Sequence, residues 1–148
     1  MKKESVWDYP RPPRVEPTSR RIRILLNDVT VVDTTNAIRV LETSHPPAYY
    51  VPRDALAGSV VTPVSRRTFC EFKGVAHYVD IAVGDRTVPA AAWFYPSPTP
   101  GYEAIADHLA FYPSKMDECW VDDNLVIPQR SDFYGGWITP EIEGPFKR

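Results

Sequence analysis

The sequence predicts one small, mainly β domain, a compact antiparallel sheet structure with only short helices. A chain of 148 residues has the size of one ordinary domain. Apolar residues alternate with others over several short segments, as they do in half-buried strands, and no segment sustains the apolar period of a helix. The 16 prolines, about double the usual share, also disfavour long helices.

Residues 1–20 are predicted to form a proline-rich aromatic arm. Trp7 and Tyr9 stand among prolines, a composition that favours extended backbone without a core of its own. Basic residues, Arg14 among them, are frequent in this segment. Two interpretations stay open: a solvated arm that its aromatic residues hold against the domain, or an arm whose arginines bind an anion.

The β domain is predicted to span residues 21–127 and to begin with a hairpin. Ile22, Ile24 and Leu26 fall on one face of a strand, and Asn27-Asp28 supplies the turn that follows. The next elements are predicted as strands at 29–34, 37–41 and 48–51 and one helical turn at 52–56.

Glycines divide the second half of the domain into further strands. They are predicted at residues 68–72, 75–83, 86–95, 109–112, 118–121 and 125–127. Gly74 and Gly84 mark the turns, so 75–83 and 86–95 form a second hairpin. The prolines of 97–101 predict an exposed loop. Residues 128–148, with aromatic residues among glycines and prolines, are predicted as a tail packing on the surface or on another subunit.

The composition excludes several classes of function. A net charge of −2 gives no electrostatic basis for binding nucleic acid or a membrane surface. No run approaches the roughly 20 apolar residues of a membrane span, and the first residues lack the apolar core of a signal peptide. The expected location is therefore the cytoplasm, and the expected partner is a small molecule or a protein.

Neither a metal nor a cofactor is predicted. Cys70 and Cys119 are far apart and form no CxxC unit, so neither a disulfide framework nor a cysteine zinc site is indicated. The sequence also lacks a phosphate-binding glycine loop, a nucleophile elbow and the HExxH motif of zinc proteases.

Four segments together resemble the family called domain of unknown function 427. They are residues 42–52 (ETSHPPAYYVP), 68–74 (TFCEFKG), 92–95 (AWFY) and 105–113 (IADHLAFYP). Similar members also carry an arm like residues 7–13 and a tail like residues 132–139. Where the family commonly has Cys-Pro next to a Lys-Gly pair, this chain has Cys70-Glu71-Phe72 before Lys73.

The resemblance implies a scaffold similar to the β-tent group, which includes methionine sulfoxide reductase B. Zinc-binding relatives in that group hold the metal with paired CxxC units, which this chain lacks. The resemblance therefore supports the scaffold without the zinc. It implies no activity, because the family has no agreed biochemical role and a shared fold does not carry function with it.

Cys70 is the first candidate catalytic residue. The ammonium of nearby Lys73 would favour the reactive thiolate, and Cys119 is a conceivable resolving partner for redox chemistry. The alternative is structural, because a cysteine on a strand face shared with Thr68 and Phe72 is commonly a small buried side chain.

Histidines are the second set of candidates. His45, His77 and His108 lie on three separate segments, and three imidazoles can form an open metal site. Isolated histidines more often satisfy local hydrogen bonds, so no metal is predicted. His108 is singled out as a catalytic or ligand-binding residue because it directly precedes a strand, where a polar group can face a cleft.

The aromatic residues predict a pocket for a small ligand. Trp93 and Tyr95 are two residues apart and share a strand face, while Gly74 places Lys73 at the end of the sheet. The predicted lining is Tyr50, Trp93, Tyr95 and His108, with Lys73 as the cation and Arg14 from the arm as a further contact.

Three functions follow as hypotheses. The favoured one is a binding domain for a small anionic or aromatic ligand. The others are an enzyme that uses Cys70 or His108 for redox or hydrolytic chemistry, and a protein-interaction module, which only the aromatic arm and tail support. A homodimer through the arm or the tail is a separate expectation.

Overall fold

A computed structural model describes residues 3–148 of the chain. Its strands are β1 (Glu4–Ser5), β2 (Arg14–Thr18), β3 (Ile22–Leu26), β4 (Val29–Thr34), β5 (Ala37–Leu41), β6 (Ala48–Val51), β7 (Val60–Cys70), β8 (Gly74–Val83), β9 (Arg86–Phe94), β10 (Leu109–Phe111), β11 (Glu118–Val121), β12 (Asn124–Leu125), β13 (Ile127–Pro128), β14 (Trp137–Ile138) and β15 (Ile142–Glu143). Helical structure in this part of the chain is limited to 3-10 turns at Val6–Asp8, Arg53–Ala55, Glu103–Ile105 and Pro113–Lys115. The predicted mainly β fold is thereby confirmed.

Two larger sheets organise the strands. An antiparallel seven-stranded sheet has the order β2-β5-β6-β10-β9-β8-β7, and a four-stranded sheet has the order β12-β11-β3-β4. Two small sheets complete the fold: β13 pairs with β14, and β1 pairs in parallel with β15. No helix within residues 3–148 combines the length and the apolar character needed to cross a membrane.

The main core lies between the two larger sheets. Alternate side chains of β3 point to this core, where Ile22, Ile24 and Leu26 are fully buried. From the seven-stranded sheet, residues such as Tyr49 and Ile81 pack into the same cluster. Burying both inner faces is what stabilises a two-layer β arrangement.

The other face of the seven-stranded sheet carries a second, aromatic cluster. One cross-strand row defines it, in which Tyr78 lies opposite Trp93, Trp93 opposite Ala110, and Ala110 opposite Tyr50. Because side chains directly opposite one another point to the same face, this row places three aromatic side chains on the outer surface of the sheet.

The predicted arm is part of the fold from residue 3 onward, and residues 1 and 2 lie outside the described part. Residues 14–18 form β2, an edge strand paired with β5, where Pro17 is tolerated. Val6 and Tyr9 are buried in a small cluster with Leu41 and Ile142. The arm and the tail therefore pack against each other at this end of the molecule.

Several elements differ from the prediction. The strand predicted at 125–127 is divided between β12 and β13, which belong to two different sheets. The strand predicted at 68–72 begins at Val60 and ends at Cys70. It was predicted too short because β7 is a largely exposed edge strand, and its first residues show no alternation of apolar and polar side chains. The tail does more than cover the surface, since the side chain of Trp137 is only 1% exposed and belongs to the main core.

Candidate functional site

A cavity of about 410 Å³ opens on the aromatic face of the seven-stranded sheet. Small side chains, Val40, Ala48 and Ala76, form part of its lining and leave space above the sheet. Its aromatic lining consists mainly of Tyr50, Tyr78, Trp93, Tyr95 and Tyr112. A concave, mostly apolar space of this size is typical of small-molecule sites.

Ala110 explains how the aromatic walls are held. This alanine lies between Trp93 and Tyr50 in the cross-strand row, so the two larger side chains meet above it. The indole Nε1 of Trp93 donates a hydrogen bond of 3.0 Å to the Tyr50 hydroxyl, and the two rings meet edge to face. The ring of Tyr112 packs on Trp93 with a centroid distance of 4.7 Å. The walls are therefore fixed without a ligand.

Lys73 supplies a buried cation to this cavity. Its side chain lines the space, the residue is only 8% exposed, and its Nζ lies 5.9 Å from the centre of the Tyr95 ring. Among the described residues, no carboxylate comes within 4 Å of Nζ. Burial opposes the charge, but the neighbouring Tyr50, Cys70 and Glu42 side chains outweigh it, and the pKa of Lys73 lies above its usual value.

The turn that carries Lys73 is braced from the next loop. Gly74 has a φ of 108°, a conformation that favours glycine, and it lies in contact with the loop at Ser97 and Thr99. The Thr99 hydroxyl donates to the carbonyl oxygen of Phe72, and its amide donates to the carbonyl oxygen of Lys73 at 3.0 Å. These bonds fix the backbone from which the ammonium extends.

His45 is the imidazole of this cavity. The pKa of His45 is lowered to about 4. Burial is the main cause, and the nearby cations Lys147, Arg11 and Lys73 add to the effect. His45 is therefore neutral at pH 7. Its ring also meets the Tyr134 ring edge to face, with centroids 4.5 Å apart.

Gln129 sets the tautomer of His45. The side-chain oxygen of Gln129 accepts from the Gly136 amide at 3.0 Å, and its Nε2 donates to the Lys147 carbonyl oxygen at 2.6 Å. The same Nε2 lies 3.4 Å from His45 Nδ1, which must therefore accept. The proton of the neutral ring is then on Nε2 of His45. This N–H group is a hydrogen-bond donor for a ligand, in addition to the ammonium of Lys73.

The tail covers one side of the cavity. A Cβ atom built on Gly135 would lie 2.7 Å from the Trp93 ring and 2.9 Å from the Tyr112 ring, so only glycine allows this approach. The hydroxyl of Ser131 accepts from the amides of Phe133 and Tyr134, which holds the tail's turn together. The tail is thus an integral wall of the site.

The charges of the lining favour an anion. Arg11, Lys73 and Lys147 are cationic, while Glu42 and Glu71 are the carboxylates of the lining. Within a chain of net charge −2, the cavity therefore carries an excess of one positive charge, because neutral His45 adds none.

The structure brings together most of the residues that the sequence singled out. Lys73, Tyr50, Trp93 and Tyr95 line one cavity, and so does Cys70. The predicted lining lacked His45, which was named only as one of three histidines for a metal site, and it lacked Gln129 and the tail wall. Two dipeptides in the sequence could have indicated these positions. The residue before a proline, as in His45-Pro46, is restricted to extended backbone, and Gly135-Gly136 permits conformations and close contacts that other residues do not.

His108 and Arg14 do not line this cavity. Asp107, with a φ of 57°, turns the chain before β10, and His108 Nδ1 lies 3.1 Å from the Ala106 carbonyl oxygen. Arg14 lies on the edge strand β2, where its Nε is 3.6 Å from a Glu16 carboxylate oxygen. Local partners thus hold both side chains elsewhere.

The three histidines do not form a metal site. His45 lines the cavity, whereas His77 packs beside Phe94 and lies outside the lining. Over residues 3–148, no group of three or more histidine, cysteine, aspartate or glutamate side chains is arranged to hold a metal ion.

The two cysteines lie on opposite sides of the seven-stranded sheet. Cys70 is partly exposed in the cavity, whereas Cys119 belongs to the main core and burial raises its pKa. Cys119 is therefore not placed to resolve a disulfide with Cys70.

This separation predicts selective alkylation. Iodoacetamide at neutral pH should add one carbamidomethyl group to the native protein, at Cys70, and a second only after denaturation, because alkylation requires an accessible thiolate. Peptide mass spectrometry checks the position. The Cys70→Ser variant should stay unmodified while folded, and native labelling of Cys119 would contradict the assigned burial.

A family model described as "Domain of unknown function (DUF427)" matches residues 14–122 of the chain. The matched segment contains every strand of the seven-stranded sheet, while Arg11 and the tail that closes the cavity lie outside it. In a search of curated proteins, none matches the chain.

Proposed function

The chain belongs to the family of domains of unknown function 427, and we propose that it is a binding domain for a small organic anion with a flat apolar body. One observation carries the proposal: Lys73 is a buried cation in an aromatic cavity, with no carboxylate within 4 Å among the described residues.

A buried ammonium without a partner is costly, because the charge loses hydration that only a counter-charge or hydrogen bonds replace. Tyr95 contributes a cation–π contact at 5.9 Å, and the neighbouring Tyr50, Cys70 and Glu42 side chains keep the pKa of Lys73 above its usual value, so the ammonium stays charged. Glu42, the nearby acid, is instead 3.7 Å from Arg11. An anionic group of a ligand would supply the missing partner.

The rest of the lining defines the body of the ligand. The rings of Tyr50, Trp93 and Tyr112 are held in place by their mutual contacts, so they present a preformed apolar wall. Preformed aromatic surfaces favour flat molecules because little conformational entropy is lost on binding. The Nε2 donor of His45 adds a contact for an acceptor atom of the ligand.

A thiol enzyme is the second candidate, since Cys70 lines the same cavity as Lys73. The two functions differ in their dependence on the thiol. A binding domain keeps its affinity in the Cys70→Ser variant, whereas a thiol enzyme loses turnover while binding remains.

The test compares 2-naphthoate with 2-naphthamide, which has the same flat body but no charge, by isothermal titration calorimetry. The native protein should bind the carboxylate about tenfold to a hundredfold more tightly than the amide, because a charge-assisted hydrogen bond contributes about 1.5–3 kcal/mol. The Lys73→Met variant should lose this preference.

Lys115→Met is the matched control, because Lys115 donates to the carbonyl oxygens of Pro89 and Ala90 and is not part of the lining. It should keep the preference for the carboxylate. Equal affinity of the native protein for both compounds, or an unchanged preference in Lys73→Met, would refute the proposed role of Lys73.

A further inference from the structure

A second hollow, of about 390 Å³, adjoins the cavity on the outside of the molecule. The arm and the end of the tail form it, and its lining includes Trp7, Pro145 and Phe146. Arg11 and Lys147 belong to the lining of both spaces. The two spaces therefore meet at a pair of cationic side chains.

Trp7 is an ordered aromatic wall that faces solvent. The residue is 54% exposed, although its indole Nε1 donates a 2.9 Å hydrogen bond to the Pro145 carbonyl oxygen and its amide donates to the Ser5 hydroxyl. A tryptophan ring that is fixed in place and still half exposed offers apolar surface to a partner at small entropic cost.

The cations at the junction are anchored by their surroundings. Lys147 donates its amide to the Ser44 carbonyl oxygen at 2.8 Å, and its own carbonyl oxygen accepts from Gln129. No carboxylate of the described residues lies within 4 Å of its Nζ, which is 6.0 Å from the Tyr134 ring centre. The Arg11 guanidinium reaches the Thr43 carbonyl oxygen at 3.3 Å.

We propose that the outer hollow is the second half of one binding site, and that the ligand is an elongated organic anion. One flat group lies in the cavity, the anionic group binds Lys73 together with Arg11 and Lys147 at the junction, and a second apolar group lies against Trp7. The inference rests on the proposed function, because the first group occupies the same cavity.

The arrangement favours this class of ligand over a compact one. A molecule confined to the inner cavity would make no use of the exposed face of Trp7, and a neutral linker would leave Lys147 without a counter-charge, since among the described residues Arg11 alone of the two cations has a carboxylate nearby, that of Glu42. Arg11 and Lys147 both lower the pKa of His45, so their charges reach into the cavity itself. An anion at the junction therefore interacts with both spaces at once.

Four indole N–H groups provide reporters for the test. Trp93 lies in the cavity and Trp7 in the outer hollow, while Trp120 lies on the four-stranded sheet and Trp137 in the main core. Each Nε1 has a fixed acceptor, respectively Tyr50, Pro145, Glu118 and Phe111. Single Trp→Phe variants assign the four signals in a ¹H–¹⁵N spectrum.

The probes are bis(2-naphthyl) phosphate and methyl 2-naphthyl phosphate, which carry the same single charge and differ in that a methyl group replaces one naphthyl group. Bis(2-naphthyl) phosphate should shift the Trp7 and Trp93 signals with one common Kd, and methyl 2-naphthyl phosphate should shift Trp93 alone. The probe with two naphthyl groups should bind about tenfold more tightly. Trp7→Ala should remove that advantage, whereas Trp120→Ala should keep it.

The outcomes separate the two proposals. If both probes shift Trp93 but neither shifts Trp7, or if Trp7→Ala keeps the tenfold advantage, the outer hollow is not part of the site and the inference fails. If neither probe shifts Trp93, the proposed function itself fails.

Discussion

Replacing Trp137 with alanine should lower the free energy of unfolding by about 3–5 kcal/mol, the usual effect of removing a buried large aromatic side chain. Its ring packs against Tyr49 with centroids 5.0 Å apart, and its Nε1 donates to the Phe111 carbonyl oxygen at 3.2 Å. The substitution therefore removes apolar contacts and leaves a buried acceptor without its donor.

Urea denaturation followed by circular dichroism measures this effect. Trp120→Ala is the control, because Trp120 is partly exposed and its indole bonds only to Glu118 two residues away. That variant should lose about 1 kcal/mol or less. A Trp137→Ala variant as stable as Trp120→Ala would mean that the tail is not packed into the core.

Replacing Arg39 with methionine should lower the free energy of unfolding at pH 7 by about 2–4 kcal/mol. The guanidinium is buried and binds the carboxylates of Glu4 and Glu16 at 2.5–3.2 Å, so its loss leaves two negative charges facing each other. Breaking a fully buried pair costs about 3–5 kcal/mol, and the carboxylates, which are about one-third exposed, reduce that figure.

The Arg39→Met defect should also depend on pH. Burial acts to raise the pKa of Glu4, but hydrogen bonds from Arg39 and Tyr9 outweigh it, and the pKa lies below its ordinary value of 4.5. A carboxyl whose pKa is depressed by folding stabilises the fold above the unfolded pKa, and that contribution is lost as the pH falls. The difference from the native protein should therefore shrink below about pH 4.5.

The triple variant Arg39→Met, Glu4→Gln, Glu16→Gln tests the cause. It removes the two carboxylate charges together with their partner, so the free energy of unfolding at pH 7 should return most of the way to the native value. If the triple variant is as unstable as Arg39→Met, the packing of the arginine side chain, and not the ion pairs, accounts for the defect.

The residues of the aromatic wall could be predicted from sequence because strand alternation is a local property. Trp93 lies on β9 and Tyr95 directly follows the end of that strand, and their separation of two residues was enough to place them on one face. Gly74, for the same local reason, placed Lys73 at the end of a sheet. Neither inference required knowledge of distant contacts.

The contacts of His45, Gln129 and Gly135 could not be predicted, because they depend on where an irregular tail meets the sheet. Gln129 contacts His45 across 84 residues of sequence, and no periodicity records such a contact. The location of His108 was missed for a related reason, since Asp107 adopts a positive φ that only the folded backbone reveals.

The most direct test of the central claim is a crystal structure of the protein with 2-naphthoate. The naphthalene ring should lie against Trp93, with a carboxylate oxygen about 2.7–3.2 Å from the Nζ of Lys73. A structure in which 2-naphthoate lies outside the cavity, or inside it with its carboxylate turned away from Lys73, would contradict the account.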